Sequence, residues 1–223
     1  MSRKIARQKS LIRPDHNYYG NLATGKVGAF VEAENEYDHN DDIWGETHAE
    51  TSVLISDTIF FTLPAGTYPN GADAVLSGYV DGAMSDTLYG QSRFGFAVHF
   101  GGEDFVLQDQ GDHTQAHSME YHETFTLTNR LVSPGTVLDT DVTRRVGVYM
   151  TLGGPASLEA STLGNKTGDK RFTSARVDFL NTGRIVELSV PDGITWTSAS
   201  GVFLSQSKPF PWPMFLPAIT HRK

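Results

Sequence analysis

The sequence predicts an all-β protein, and more specifically an antiparallel β-sandwich of jelly-roll or Greek-key type. Apolar residues alternate with polar ones at period two, clusters of glycine and proline interrupt this alternation, and helical apolar spacing is almost absent. Parallel strands need long connections that are usually helical, so the strands must pair antiparallel. A barrel of about eight or more strands is the alternative fold.

The alternation is clearest in four predicted strands. Their apolar faces comprise Val53, Ile55, Ile59, Phe61 and Leu63; Phe94, Phe96, Val98 and Phe100; Val146, Val148, Met150 and Leu152; and Ala175, Val177 and Phe179. Asp57 falls on the apolar face of the first strand. Because a buried carboxylate needs hydrogen-bond donors, we expect Asp57 to accept backbone amides at a turn or bulge.

Turns are predicted where glycine or proline sets the backbone angle between these runs. The predicted turns lie at residues 64–66, 69–71, 101–102, 133–135, 153–155, 181–183 and 191–193.

One domain, at residues 21–207, is expected between an N-terminal arm at 1–20 and a C-terminal tail at 208–223. The 223 residues suffice for a substantial core. The absence of cysteine excludes disulfides, thiolate metal sites and thiol chemistry. The sequence contains no run of about 18 apolar residues that would predict a membrane span, and no secretory signal is visible because the basic N-terminus lacks a following apolar stretch.

The N-terminal arm is strongly basic, whereas the chain as a whole has a formal charge of −8. Its basic residues are Arg3, Lys4, Arg7, Lys9 and Arg13. Such an arm can be a solvated segment, a strap that binds the acidic surface of a neighbouring subunit, or a nucleic-acid contact. An acidic body repels phosphate, which favours the strap over nucleic acid.

The C-terminal tail combines alternating prolines with large apolar side chains. Pro209, Pro211 and Pro213 favour an extended path that cannot be a central strand. Its apolar residues are Phe210, Trp212, Met214, Phe215 and Leu216. Leaving each exposed costs about 1.5–3 kcal/mol. The tail is therefore expected to cover its own sandwich or to bind a neighbouring copy or other partner.

An acidic segment precedes the first of the four predicted strands. Its carboxylates are Glu32, Glu34, Glu36, Asp38, Asp41 and Asp42. We expect a solvated acidic edge that meets the basic arm of a neighbour. The alternative is a cation site, because Ca²⁺ takes about 6–8 oxygen ligands. No other cofactor is expected, and the order of residues does not match a calcium-binding loop.

Three histidines form a second polar cluster, and catalytic motifs are absent. For His113, His117 and His122 we expect a polar surface loop, with His122 and Glu123 at the start of a strand through Phe125 and Leu127. Zinc is the alternative, although the H-E-x-x-H order is missing. The sequence contains neither G-x-S-x-G nor a phosphate-binding glycine motif. We therefore expect no enzyme, while a pair of carboxylates brought together by the fold stays open.

The sequence from about residue 53 to residue 204 resembles exported bacterial proteins that carry a PEP-type C-terminal sorting signal. The resemblance lies in Ser56-Asp57-Thr58, in Glu123-Thr124-Phe125-Thr126-Leu127 and in residues 177–204, where Asp178-Phe179 and Asn181-Thr182 are expected to form a hairpin. It implies a secreted β-sandwich with a non-catalytic role at the cell surface or in a biofilm matrix. The sorting tripeptide and its apolar span are absent, and the sequence ends in Arg222-Lys223.

These features together predict a non-enzymatic structural or surface protein whose main activity is self-association through its terminal segments. Its expected setting is extracellular, in a filament or matrix, or the surface of an assembled particle such as a virion shell. The alternative is an extracellular module that binds glycans or a cation through the acidic segment and exposed aromatic residues such as Tyr37, Trp44 and Tyr89.

Overall fold

The computed structural model describes residues 13–37, 46–87, 90–111, 115–152, 158–163 and 171–205. These residues form strands, turns and irregular connections, and no helix occurs among them. The strands are β1 (Arg13–Asn21), β2 (Lys26–Tyr37), β3 (Glu46–Thr51), β4 (Val53–Leu63), β5 (Gly66–Tyr68), β6 (Ala72–Asp86), β7 (Gly90–Phe100), β8 (Glu103–Gln110), β9 (His117–Val132), β10 (Thr136–Leu138), β11 (Val142–Leu152), β12 (Leu158–Leu163), β13 (Arg171–Ser189) and β14 (Thr195–Ser198).

Two large antiparallel sheets contain most of these strands. The first has the order β1-β2-β13-β6-β9. The second has the order β14-β4-β11-β7-β12-β3, and β8 pairs with the opposite edge of β7. Strands β5 and β10 form a small separate ribbon. The sequence segment 13–20, predicted as part of the arm, lies in β1 and pairs with β2 along the edge of the first sheet.

The two sheets pack face to face through a core rich in phenylalanine. Phe61, Phe94, Phe96, Phe100 and Phe179 are fully buried. The ring of Phe94 on β7 lies 4.3 Å from that of Phe179 on β13, so these two residues join the sheets directly. The predicted antiparallel β-sandwich is confirmed.

The period-two pattern also places the core residues correctly. Every member of the apolar faces predicted from β7, β11 and β13 is buried, as are Ile55, Ile59, Phe61 and Leu63 of β4; Val53 is half-buried. The outcome follows from strand geometry, because successive side chains point to opposite faces and only one face of each sheet meets the other sheet.

Most predicted turns occur where expected. Gly71 and Gly101, for example, have φ angles of 73° and 64°, in the left-handed region that glycine tolerates best. The turn predicted at 181–183, and with it the hairpin of Asp178-Phe179 and Asn181-Thr182, is wrong, because β13 runs from Arg171 to Ser189 without reversing. The register shifts between Phe179 and Gly183, so the extra residues form a bulge within the strand. Residues 153–155 lie outside the described part of the chain.

The strand directions give the sandwich two distinct ends. We call the end where β1 begins the arm end; the connections from β2 to β3, β6 to β7, β8 to β9 and β12 to β13 lie there. We call the opposite end the tail end; the connections from β4 to β6, β7 to β8, β9 to β11 and β13 to β14 lie there. The turn between β1 and β2 lies about midway along the first sheet, since Lys26 pairs with Arg184 and Arg184 with Tyr79, at the middle of β6. In the described ranges, no helix is long and apolar enough to cross a membrane.

Candidate functional site

The chain enters the sandwich at the arm end through an edge strand. Arg13 begins β1 opposite Glu34 of β2, and Asp15 lies opposite Glu32. The other basic residues of the predicted arm, Arg3, Lys4, Arg7 and Lys9, lie outside the described residues. The segment that carries them therefore joins the fold at a fixed point at the arm end.

Two sets of contacts fix the last described residues, which lie partway along the sandwich beside the turn between β1 and β2. Asp57 accepts hydrogen bonds from the backbone amides of Thr58 at 2.8 Å and Ser200 at 3.2 Å, and from the Ser200 hydroxyl. This confirms that Asp57 accepts backbone amides, here next to the turn that follows β14. The amide of Leu204 then donates to the carbonyl of Leu22 at 2.9 Å, and the Leu204 side chain is buried.

The aromatic part of the tail follows this anchor closely in the sequence. Its predicted contact residues, Phe210, Trp212, Met214 and Phe215, lie outside the described residues. They start six positions after Leu204, which is the last buried residue in the described part of the chain. The C-terminal segment therefore starts beside the turn between β1 and β2, whereas the N-terminal segment joins the fold at the arm end.

The acidic strand lies on the outer face of the first sheet. Glu32 and Glu34 are half-buried there, since Val31 and Ala33 on the opposite face fill the core. Arg176 of β13 lies 3.9 Å from a carboxylate oxygen of Glu32 and forms a 2.7 Å ion pair with Asp178. The hydrogen bond that Arg176 donates to Asp178, together with the negative charges of Asp178 and Glu32, raises the pKa of Arg176.

The proposed cation ligands are only partly described. The side chain of Glu36 and the residues Asp38, Asp41 and Asp42 lie outside the described part of the structure. Where side chains are described, no group of three or more His, Asp or Glu residues is placed to hold a metal ion. Arg176 compensates the charge of Glu32, so this carboxylate already has a cationic neighbour.

Sequence reasoning missed a buried acidic cluster near the arm end. Asp86, the last residue of β6, is only 5% exposed, and neither of its carboxylate oxygens has a hydrogen-bond partner with acceptable geometry among the described residues. The Cα of Gly111 lies against one of these oxygens, because a Cβ built on Gly111 would come within 1.6 Å of Oδ2. Only glycine leaves room for the carboxylate at that position.

The surroundings of Asp86 disfavour its ionised form. Burial raises the pKa of Asp86, and the negative charge of Asp109 raises it further. The nearby Ser92 and His117 act in the opposite direction. The Ser92 hydroxyl is itself fully buried and lacks a well-formed hydrogen bond within the described residues. Burial is the largest of these effects, so it sets the direction of the shift.

Asp109 has a direct partner in this cluster. The hydroxyl of Tyr121 on β9 donates to Oδ2 of Asp109 on β8 at 2.7 Å. Burial and this hydrogen bond to Asp109 raise the pKa of Tyr121. The tyrosine ring packs edge-on against Phe94, with centroids 4.7 Å apart. Tyr121 therefore connects the neighbouring edges of the two sheets and keeps its proton.

The histidine cluster is split by the fold. His117 begins β9 opposite Asp86, where we expected a surface loop, and its Nδ1 is buried. His122, further along β9, is exposed and lies 3.2 Å from Asp81. His113 lies outside the described residues. The edge position of β9 explains why these polar residues adopt a strand, since one face of an edge strand can stay in water.

The acidic cluster is better suited to a structural role than to chemistry on a substrate. Both Asp86 oxygens have less than 1 Å² of accessible surface, so a substrate cannot reach them in this conformation. A single buried carboxylate beside a glycine is visible in the sequence only as one polar residue at the end of an apolar strand.

Comparison with protein-family models, curated proteins and solved structures gives no match to this chain.

Proposed function

We propose that this protein is a non-enzymatic structural subunit that self-associates through its N-terminal arm and C-terminal tail. The observation that carries this proposal is that the two segments join one sandwich at separate and well-anchored points, the arm at the start of β1 and the tail beside the turn between β1 and β2. A subunit of this kind suits an extracellular filament or matrix, or a virion shell.

The length of the terminal segments supports contacts beyond the chain's own sandwich. Residues 1–12 can extend up to about 40 Å and residues 206–223 up to about 60 Å, at roughly 3.3–3.6 Å per residue. Each segment is therefore long enough to reach a neighbouring copy. The tail supplies apolar area for binding, and the arm supplies positive charge for the acidic surface of a neighbour.

The described anchors define the right truncations for a test. Removal of residues 1–12 and 206–223 keeps β1 intact and retains Leu204, whereas a cut after residue 14 would remove the start of β1. We expect assemblies from the full chain and monomers from the trimmed chain, measured by light scattering.

A substitution test in the full chain avoids truncation altogether. Phe210→Ser, Trp212→Ser and Phe215→Ser together should weaken association. The matched control is Leu54→Ser, Val106→Ser and Val137→Ser, which changes three apolar residues of the sandwich that are 60–62% exposed. Monomers from the unmodified full chain, or equal loss of association in the control, would contradict the proposal.

A further inference from the structure

A polar cleft opens at the tail end, between the end of β9 and the start of β11. Its volume is about 530 Å³, and the turn between β7 and β8 forms one wall. Three arginines line it: Arg130 from β9, and Arg144 and Arg145 from β11. All three are exposed, so an anionic group from outside can reach them.

The arginines of this cleft are only partly paired. Arg130 forms an ion pair with Asp73. Arg144 and Arg145 make no ion pair or side-chain hydrogen bond with any described residue. Two nearby carboxylates are already engaged with backbone amides, Glu103 with Thr128 and Asp141 with Ala65. The cleft therefore presents two free guanidinium groups on a protein whose formal charge is −8.

Free guanidinium groups identify the chemistry of the ligand. Arginine presents a planar fork of donors that matches carboxylate or phosphate oxygens. The chain itself contains a dense source of carboxylates, since Glu36, Asp38, Asp41 and Asp42 fall within residues 36–42. That segment begins with the last two residues of β2, at the arm end, and lies before β3 in the sequence.

The cleft and the acidic segment cannot meet within one chain. Strand β9 runs from His117 at the arm end to Val132 beside the cleft, a rise of roughly 50 Å. Opposite charges at opposite ends of a rigid body can, however, meet between two copies stacked end to end. Such a contact joins two different surfaces and repeats, so it generates a ring or a filament.

We propose that the arginine cleft binds the acidic segment 36–42 of a second copy, so that subunits join tail end to arm end. This inference rests on the proposed self-association and names one of its contacts. The terminal segments then add to an interface that the two ends of the sandwich already define.

The first test removes the positive charge in the full chain. Arg144→Gln with Arg145→Gln should weaken association at least about tenfold at about 50 mM salt, and by less at about 500 mM, because screening weakens exposed ion pairs. Thr124→Glu with Thr126→Glu is the matched control: it changes the net charge by the same amount at exposed positions of β9 away from the cleft. Sedimentation velocity measures association, and circular dichroism checks folding.

An exchange of charges between the cleft and the acidic segment then tests whether segment 36–42 of a second copy is what binds in the cleft. One chain carries Arg144→Glu and Arg145→Glu, and a second carries Asp38→Lys, Asp41→Lys and Asp42→Lys. Each chain alone should associate weakly, because cleft and segment then have the same sign of charge. A mixture of the two should recover association, since both contacts become complementary between unlike chains. A mixture that stays as weak as its components would overturn the proposal.

Two further outcomes separate this proposal from the proposed function. If the full chain associates and the tail substitutions abolish association while Arg144→Gln with Arg145→Gln does not, the cleft proposal is wrong and the proposed function stands. If calorimetry shows inorganic phosphate binding to the cleft while the same arginine variant associates normally, the cleft is a site for a small anion and the second copy is not its occupant. A full chain that is monomeric at every concentration overturns both.

Discussion

Replacement of Asp86 by asparagine should stabilise this protein at neutral and alkaline pH. Asp86 is almost completely buried, and its carboxylate oxygens lack well-formed hydrogen bonds within the described residues. A buried polar group without a partner costs about 1–3 kcal/mol, and more when it is charged. Asp86→Asn keeps the shape of the side chain but removes the charge. We expect the unfolding free energy to rise by at least about 1 kcal/mol, equivalent to a Tm rise of about 2–4 °C for a chain of this size.

The pH dependence of this effect follows from the raised pKa of Asp86. In the unfolded chain, the carboxyl titrates near its ordinary value of 3.8, whereas in the folded chain burial raises its pKa. As pH rises above the unfolded value, the unfolded state releases its proton first, so folding stability falls until the folded carboxyl also titrates. The advantage of Asp86→Asn should therefore be small below that value, grow as pH rises, and become constant above the folded pKa.

Urea unfolding of the wild type and of Asp86→Asn, from below the unfolded pKa of Asp86 to about pH 8, measures the difference in unfolding free energy directly. Other carboxylates contribute to both proteins, so the difference between the two curves isolates Asp86 and the groups coupled to it. Asp139→Asn serves as the control, because Asp139 is exposed and its replacement should change stability by no more than about 0.5 kcal/mol. An Asp86→Asn protein less stable than the wild type at about pH 8 would refute the reasoning, since it would mean that the ionised carboxylate is bound favourably.

Two further predictions test contacts of buried aromatic side chains, one between the two sheets and one within the first sheet. Tyr121→Phe should lower the unfolding free energy by about 1.5–3 kcal/mol in chemical denaturation, because the hydrogen bond to the Asp109 carboxylate is lost while the aromatic packing stays; an unchanged midpoint would exclude a stabilising role for this bond. Gly82→Ala should cost about 1–3 kcal/mol, because a Cβ at this position would come within 2.3–2.6 Å of the buried ring of Phe179. Gly147→Ala is its control, with nothing within 4 Å of the added carbon, and should leave the melting temperature unchanged or slightly higher; equal destabilisation by both changes would contradict the steric explanation.

Alternation in the sequence was sufficient to predict the sandwich, because a strand with one buried face has apolar residues at every second position. Phe94, Phe96, Val98 and Phe100 are all completely buried, as their spacing predicts. The error at residues 181–183 has a local cause. An Asn-Thr-Gly sequence suits a turn, but a bulge needs the same tolerant residues, and only pairing with β2 and β6 distinguishes the two.

The candidate site was harder to predict, because its parts meet through the register of strands that are distant in sequence. The hydrogen bond between Tyr121 and Asp109 joins β9 to β8 across the edges of two sheets. Asp57 and Ser200 are separated by most of the chain, so the sequence indicated only that Asp57 needs donors, and not that the segment after β14 supplies them.

Asp86 and Arg144 show most clearly what alternation cannot determine. Asp86 lies on the same face of its strand as the buried Met84, and Arg144 on the same face as the buried Val146, so both are polar residues at strand ends on the core side. Asp86 is buried, because β9 and β13 flank it and Gly111 covers it. Arg144 is exposed, because the cleft at the tail end opens beside it. Residue spacing gives the face of a strand, but the distance over which two sheets overlap decides whether a charged residue there is enclosed or becomes available to a partner.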